Sequence, residues 1–263
     1  GARGIGLSSA RMLAQSGFNI AICSRNTKEL DEASKEISTY GRECFYQSID
    51  VSKEAEVVSF VEAVHQFYGK VDVLVNNAGL SGRGFITEIP EDRIDALLAV
   101  NMKGVILCAQ AFAQAMYDEG EAVMINMSSQ AGKRGWPELS VYGATKAGVL
   151  GMNRALAVEL APRVRVNAIC PGYISEVGMA WRGWEARGEI EGANATEIGD
   201  RFAEKNIPLQ RLQSADDIAD TAVFLASDEA RELSLIHISA PTSPLDIAYG
   251  GVGVEKKKGG GGG

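Results

Sequence analysis

In the stretch SSQAGKRGWPELSVYGATK, Ser129 is followed by Tyr142 after thirteen positions and by Lys146 four positions later. A spacing of four places the Tyr142 phenol and the Lys146 ammonium on one face of a helix. An ammonium there stabilises phenolate and draws the phenol pKa down from ~10 toward neutrality. Such a phenol can exchange a proton with an alcohol or carbonyl oxygen. Ser129 closes AVMINMSS, a strand-like run, and strand ends are where open α/β sheets bind ligands. A Tyr-x-x-x-Lys pair also occurs on solvated helix faces, so the chemistry depends on the elements that gather these side chains. A second candidate is GARGIG at positions 1–6. A Gly-rich turn entering a helix brings backbone N–H groups up to a pyrophosphate, and the helix N-terminus favours that charge.

The elements alternate. GIGLSSARMLAQSG reads as a helix closed by Gly17, FNIAICS as a buried strand, and NTKELDEASKEISTYG as an amphipathic helix. Asn26 is its expected cap, with Glu29 three residues on as in a capping box. CFYQSID reads as a strand, SKEAEVVSFVEAVHQFYG as a helix capped by Ser52, and VDVLVNNAG as a strand and turn. A helix over 91–117, the strand AVMINMSS, a helix from VYGATK and the strand VRVNAICPG follow. Strands separated by helices imply right-handed crossovers and a parallel sheet covered on both faces. After Pro171 the rhythm breaks, and residues 173–210, with Trp181 and Trp184, read as a helical flap. SADDIADTAVFLASDEA reads as a helix capped by Ser214. Residues 1–231 thus form one domain. Residues 232–263, with a lysine run and five terminal glycines, read as a disordered or artefactual tail.

The 263 residues are 46% hydrophobic and 23% charged, with net charge −8. That charge disfavours nucleic acid and anionic membrane as partners. The four cysteines (Cys23, Cys44, Cys108, Cys170) form no CxxC pair, and two histidines lack ligand spacing. Neither a disulfide framework nor a metal site is expected. No membrane-length apolar run and no leader are read, and the cytoplasm is the expected compartment.

Taken together, these motifs resemble the short-chain dehydrogenase/reductase family, over residues 1 to about 231. GARGIG matches the last six positions of the family's TGxxxGxG turn, with Gly4 and Gly6 in place. NNAG at Asn76–Gly79, VNMKG with Asn101, NMSS with Ser129, YGATK, and Pro171–Gly172 follow in the family's order. The resemblance implies a Rossmann-like, doubly wound, three-layer α/β/α fold. It implies that Tyr142 is the general acid/base and that Lys146 lowers its pKa and bonds the nicotinamide ribose. Ser129, or the adjacent Ser128, polarises the substrate oxygen, the thirteen-residue spacing favouring Ser129, and Asn101 positions a water beside Lys146. Expected cofactor contacts are Arg3, Gly4, Ile5, Gly6, Ser24, Arg25, Asp50, Val51, Asn76, Ala78, Gly79, Tyr142, Lys146, Pro171, Gly172 and Ile174.

Arg3 and Arg25, with no acid at the end of the second-strand motif CSRN, favour NADP over NAD. The chain departs from the family in three places. The family's opening strand, central in its sheet, and its Thr-Gly are missing before GARGIG, so the chain reads as N-terminally truncated. The family's closing strand is replaced by ELSLIHISAPTSP, and Glu176 stands where a Thr often meets the pyrophosphate. The implied function is interconversion of a secondary alcohol and a ketone on a small molecule (a sugar, polyol or small diol) by a homodimer or homotetramer. The alternatives are 3-oxoacyl thioester reduction, with Lys133 and Arg134 as the nearby basic residues, and an inactive fragment or nucleotide-binding scaffold.

Overall fold

A computed structural model of the chain describes residues 1–176 and 178–234. Its elements are α1 (Gly4–Gln15), β1 (Ile20–Ser24), α2 (Thr27–Ser38), β2 (Cys44–Ser48), α3 (Glu54–Tyr68) and β3 (Val73–Asn76). Then come α4 (Glu91–Leu98), α5 (Val105–Glu119), β4 (Ala122–Met127), α6 (Ser140–Glu159) and β5 (Val164–Ile169). The flap is α7 (Gly178–Glu191) and α8 (Ala195–Asn206), and α9 (Ala215–Ala226) follows.

Every strand pair among the described residues is parallel. β4 is buried along its whole length, as a strand covered on both faces must be. Its side chains alternate between two cores. Ala122 and Met124 join α3 and α5 residues such as Val57, Phe60 and Phe112. Val123, Ile125 and Met127 join Ile218, Ala222 and Leu225 of α9.

The parallel sheet is in two hydrogen-bonded pieces, β1-β2 and β3-β4-β5. The pieces nonetheless share cores on both faces. Ala21, Cys23 and Leu74 pack into one, and Ile20, Ile22 and Val75 into the other. A cavity of about 440 Å³ is lined by residues of both β1 and β3. Gly1 N donates to the Cys23 carbonyl at 2.7 Å.

Several local expectations change. Asn26 caps α2, but Ser52 does not cap α3; its N–H and hydroxyl both donate to Asp50 Oδ1, at 3.0 and 2.7 Å. The carboxylate two residues back competes better for Ser52 than the helix end does. The helix over 91–117 extends to Glu119, and a π-helical turn, Ala99–Gly104, joins α4 to α5. This 29-residue helix is long and apolar enough to cross a membrane by length and composition, with mean hydropathy 1.6 in its most apolar window. That corrects the reading that no run reaches this length; the apolar stripe instead packs Leu97, Val105, Phe112 and Met116 into the fold. Ser214 caps α9 in a complete capping box. The chain stays packed beyond residue 231. Asn167 Nδ2 donates to the Leu233 carbonyl at 2.8 Å and Val166 N–H to Ser234 Oγ at 3.3 Å. The tail expected from residue 232 therefore cannot begin before 235, and residues 235–263 lie outside the described residues.

Candidate active site

β4 delivers Ser129 and α6 delivers Tyr142 and Lys146. Ser129 lies two residues past β4, in extended conformation, and its Oγ accepts from Ala131 N–H at 3.1 Å, capping the 3₁₀ turn Gln130–Gly132. That turn presses onto α6 through two glycines. A Cβ on Gly132 would lie 2.7 Å from the Lys146 carbonyl carbon, and one on Gly143 2.9 Å from the Ala131 oxygen. Only two glycines at these positions let turn and helix approach so closely. Ser128 is spent on the same junction, its hydroxyl donating to the Lys146 carbonyl at 2.8 Å. Both serines line the cleft, and Ser129 is the one whose hydroxyl is not donated to the backbone of α6.

Lys146 is 4% exposed, and its Nζ donates to the Met127 carbonyl at 2.8 Å. Burial pulls the ammonium down to about 8, against the opposing pull of Cys170. Its Nζ stands 5.9 Å from the centre of the Tyr142 ring. Burial pushes the Tyr142 phenol up, while a hydrogen bond with Ser129 acts the other way. The net direction is therefore upward, against the expected shift toward neutrality. The ammonium is held by a backbone carbonyl, and desolvation dominates the phenol.

Asn101 sits fully buried in the π-helical turn. Its Oδ1 accepts from Leu80 N–H at 2.7 Å, and its Nδ2 donates to Leu80 O at 3.0 Å and Thr145 Oγ1 at 3.3 Å. It thereby ties the turn after β3 to α6. Gly79 lies between the two polar ends, since a Cβ there would be 3.5 Å from Asn101 Oδ1 and 3.6 Å from Lys146 Nζ.

Ser129, Tyr142, Lys146 and Gly79 border a cleft of about 950 Å³, and Asn101, expected as a catalytic residue, is buried behind it and does not line it. Arg3, Gly4 and Ile5 of the first turn line it, with Ser24 and Arg25 after β1 and Asp50 and Val51 after β2. Burial pushes the Asp50 carboxyl up, but the bonds from Ser52 outweigh it and hold the group low. Ala78 and Gly79 after β3, Ser129, Tyr142 and Lys146, and Pro171, Gly172 and Ile174 after β5 complete the expected lining. Glu176 lines it too, with φ at 61°.

Two expected contacts lie elsewhere. Asn76 is 6% exposed and belongs to an amide ladder across the sheet, donating to Asn126 Oδ1 at 2.8 Å. Asn126 in turn donates to Asn153 Oδ1 at 2.7 Å. The next residue, Asn77, lines the cleft instead, because alternate side chains of a strand face opposite sides. Gly6 packs beneath the cleft, where a Cβ would lie 2.6 Å from Asn77 Nδ2.

Two residues escaped the sequence reading. Gln213 Oε1 accepts from Gly172 N–H at 3.1 Å, and its backbone pairs with Tyr173 and Ser175, so it fixes the turn after β5. Nothing in the sequence signals a contact over forty-one residues. Glu29 lines the cleft at 3.7 Å from Arg3. At the far end Trp136, Tyr173 and Trp181 line the cleft. Tyr173 packs against Trp136, Trp184 and Phe202, with ring centres 5.8, 6.3 and 4.6 Å away. Among the described residues no cluster of three His, Cys, Asp or Glu side chains could hold a metal ion.

Comparison with known proteins agrees with this geometry. Residues 1–187 match the family model described as short chain dehydrogenase. The chain is 36% identical over 241 residues to the 3-oxoacyl-(acyl-carrier-protein) reductase FabG of Staphylococcus epidermidis, covering 90% of this chain and 93% of that protein. Among solved structures it resembles an actinorhodin polyketide ketoreductase with NADPH, at TM-score 0.82 and 32% identity over 89% of this chain and 90% of that one. An NAD+-bound xylitol dehydrogenase matches at TM-score 0.81 and 28% identity, over 89% and 92% of the two chains. With Tyr142, the buried Lys146, Ser129 and the Gly-rich helix start on one cleft, the chain belongs to the short-chain dehydrogenase family and is an oxidoreductase.

Proposed function

We propose that this chain reduces a ketone to a secondary alcohol, and runs the reverse reaction, with NADP as the dinucleotide. The observation that carries the reading is that Tyr142, Ser129 and Lys146 line one large cleft, the half-buried phenol staying protonated at neutral pH as burial pushes it up. A protonated phenol is the form that gives a proton to a carbonyl oxygen. Ser129 holds that oxygen and polarises it, as a fixed donor aimed at developing charge does. Lys146, cationic below about 8, offsets the negative charge left on Tyr142. Asn101 holds the turn carrying Gly79 against α6.

The cleft fits a dinucleotide. The N-terminus of α1 opens onto it with no acidic residue in its first turn, which suits a pyrophosphate. Asp50 and Val51 would meet the adenine, Ala78 the adenosine ribose, Lys146 the nicotinamide ribose, and Ile174 the nicotinamide amide. When bound, the nicotinamide supplies or accepts the hydride at the substrate carbon. Arg3 and Arg25 favour the 2′-phosphate of NADP.

For the substrate, Trp136, Tyr173 and Trp181 give apolar faces, and Arg83, Glu138, Arg182 and Glu185 stand among them. Aromatic faces with interspersed charged groups suit a sugar, polyol or small diol. The second reading is 3-oxoacyl thioester reduction. It rests on the similarity to FabG and on Arg134, stacked 4.1 Å over Trp136. We further infer a cytoplasmic homodimer or homotetramer. Four unpaired cysteines suit a reducing compartment, and Ile106 of α5 and Val158 of α6 leave apolar surface exposed. The test is NADPH oxidation against ketoses, small diketones and a 3-oxoacyl thioester. Turnover of a ketose or diketone alone supports the first substrate reading, and turnover of the thioester alone the second. Dinucleotide binding with no turnover of any carbonyl would sink the enzyme reading in favour of a scaffold.

A further inference from the structure

We propose that Glu29 sets how strongly this cleft discriminates a 2′-phosphorylated dinucleotide from an unphosphorylated one, by competing for Arg3. The inference rests on the reading of the cleft as an NADP site. It begins at the start of α2. Asn26 Oδ1 accepts from Lys28 N–H at 3.1 Å and Glu29 N–H at 3.2 Å. In a complete capping box the third-residue carboxylate turns back to the cap N–H. Two other helices of this chain do so: Glu197 accepts from Asn194 N–H at 3.0 Å, and Asp217 from Ser214 N–H at 2.7 Å. At α2 that N–H is already taken, because Asn26 N–H donates to Ser24 Oγ at 3.2 Å. The Glu29 carboxylate is released from the helix end and lies 3.7 Å from the Arg3 guanidinium, on the cleft wall with Ser24 and Arg25.

The Arg3 side chain is 74% exposed and that of Glu29 32%. Such a pair is weak and screened by salt. A phosphate arriving between Arg3 and Arg25 must displace Glu29 from Arg3 and then bear a carboxylate beside it. Arg25 and Arg3 attract the phosphate, and Glu29 opposes it. A dinucleotide with a free ribose diol makes no such demand, so Glu29 acts on one ligand and not on the other.

The experiment is equilibrium titration of the whole chain and its variants with NADPH and with NADH, followed by nicotinamide fluorescence. Glu29→Gln keeps the side-chain length and removes only the charge. It should tighten NADPH about three- to tenfold at low salt, as removal of one nearby like charge does, and leave NADH within about twofold. The gain should shrink at high salt and in an Arg3→Gln background, where Glu29 no longer has Arg3 to compete for. An unchanged melting curve shows that the fold is intact. NADPH affinity unmoved by Glu29→Gln overturns the proposal. So does a selective loss of NADH affinity, which would make Glu29 a ribose-diol acceptor. A wild-type chain that prefers NADH, with Glu29→Gln still raising the NADPH-to-NADH ratio, would overturn the NADP reading and leave the role of Glu29 standing. Binding of neither dinucleotide overturns both.

Discussion

Burial moves Tyr142 and Lys146 in opposite directions on the pH scale, and both toward their neutral forms. The phenol holds its proton more tightly and the ammonium less. Tyr142→Phe removes the proton donor and keeps the ring. The expected outcome is a kcat lower by about 10²–10⁴ with dinucleotide affinity retained; an unchanged kcat would remove Tyr142 from the mechanism. The pH dependence follows from Lys146. Below about 8 it is charged and offsets the charge left on Tyr142 after proton donation. Carbonyl reduction should therefore be flat below about pH 8 and fall above it. Lys146→Arg, a cation that does not titrate in this range, should move the fall to higher pH. Stability should run the other way. The folded pKa of about 8 lies below the ordinary 10.5, so between these values the unfolded chain binds more protons. Stability from this group then rises with pH across that window. Opposite slopes of rate and stability, read from a pH–rate profile and from urea midpoints, distinguish titration of Lys146 from general alkaline unfolding.

At the scale of elements, the site depends on how close the 3₁₀ turn Gln130–Gly132 comes to α6. A methyl on Gly132 would meet backbone, the Lys146 carbon at 2.7 Å and oxygen at 2.8 Å, and backbone cannot swing aside as a side-chain tip can. Gly132→Ala should cost about 1–3 kcal/mol of stability. It should also lower kcat, because the turn that carries Ser129 must move away from Tyr142. Chemical denaturation and kcat measured together check both. Loss of stability with kcat unchanged would mean that Ser129 need not be held so tightly. Much of this layout was legible in the sequence. The alternation of elements and the caps at Asn26 and Ser214 follow from local pattern, and the family resemblance singled out Ser129, Tyr142 and Lys146, which one cleft gathers. What local pattern did not carry was side-chain competition. Ser52 turns to Asp50, Glu29 leaves its capping box for Arg3, and Asn76 enters an amide ladder with Asn126. Each depends on a partner that only the folded chain supplies. The direction of the Tyr142 shift was missed for the same reason, since desolvation is a property of packing and not of spacing.

For the whole molecule, the division of the sheet decides which parts open first. β4 is paired on both sides, to β3 and β5, and is buried throughout. Among the described residues β2 is the one strand that pairs with β1, and across the cavity β1 meets β3 through shared side-chain cores. Side-chain packing without a hydrogen-bond ladder is a weaker link, so β1-β2 with α2 should open as a unit below the global unfolding free energy, while α1 stays on α9, where Ser8 and Arg11 both hold Asp216. The cleft spans this seam. Ser24 and Arg25 follow β1, while Ser129 and Gly172 lie past β4 and β5. A ligand lying along it contacts both pieces and is lost when either opens. Saturating NADPH should then raise the opening free energy of β1-β2 by RT ln(1 + [L]/Kd), about 2.7 kcal/mol at a hundred times Kd. Native-state hydrogen exchange reads this directly. The Ile20–Ser24 and Cys44–Ser48 amides should exchange faster than Ala122–Met127 in the free chain and slow markedly with NADPH. If all three strands exchange at one common free energy without ligand, the shared cores alone make the two pieces a single cooperative unit.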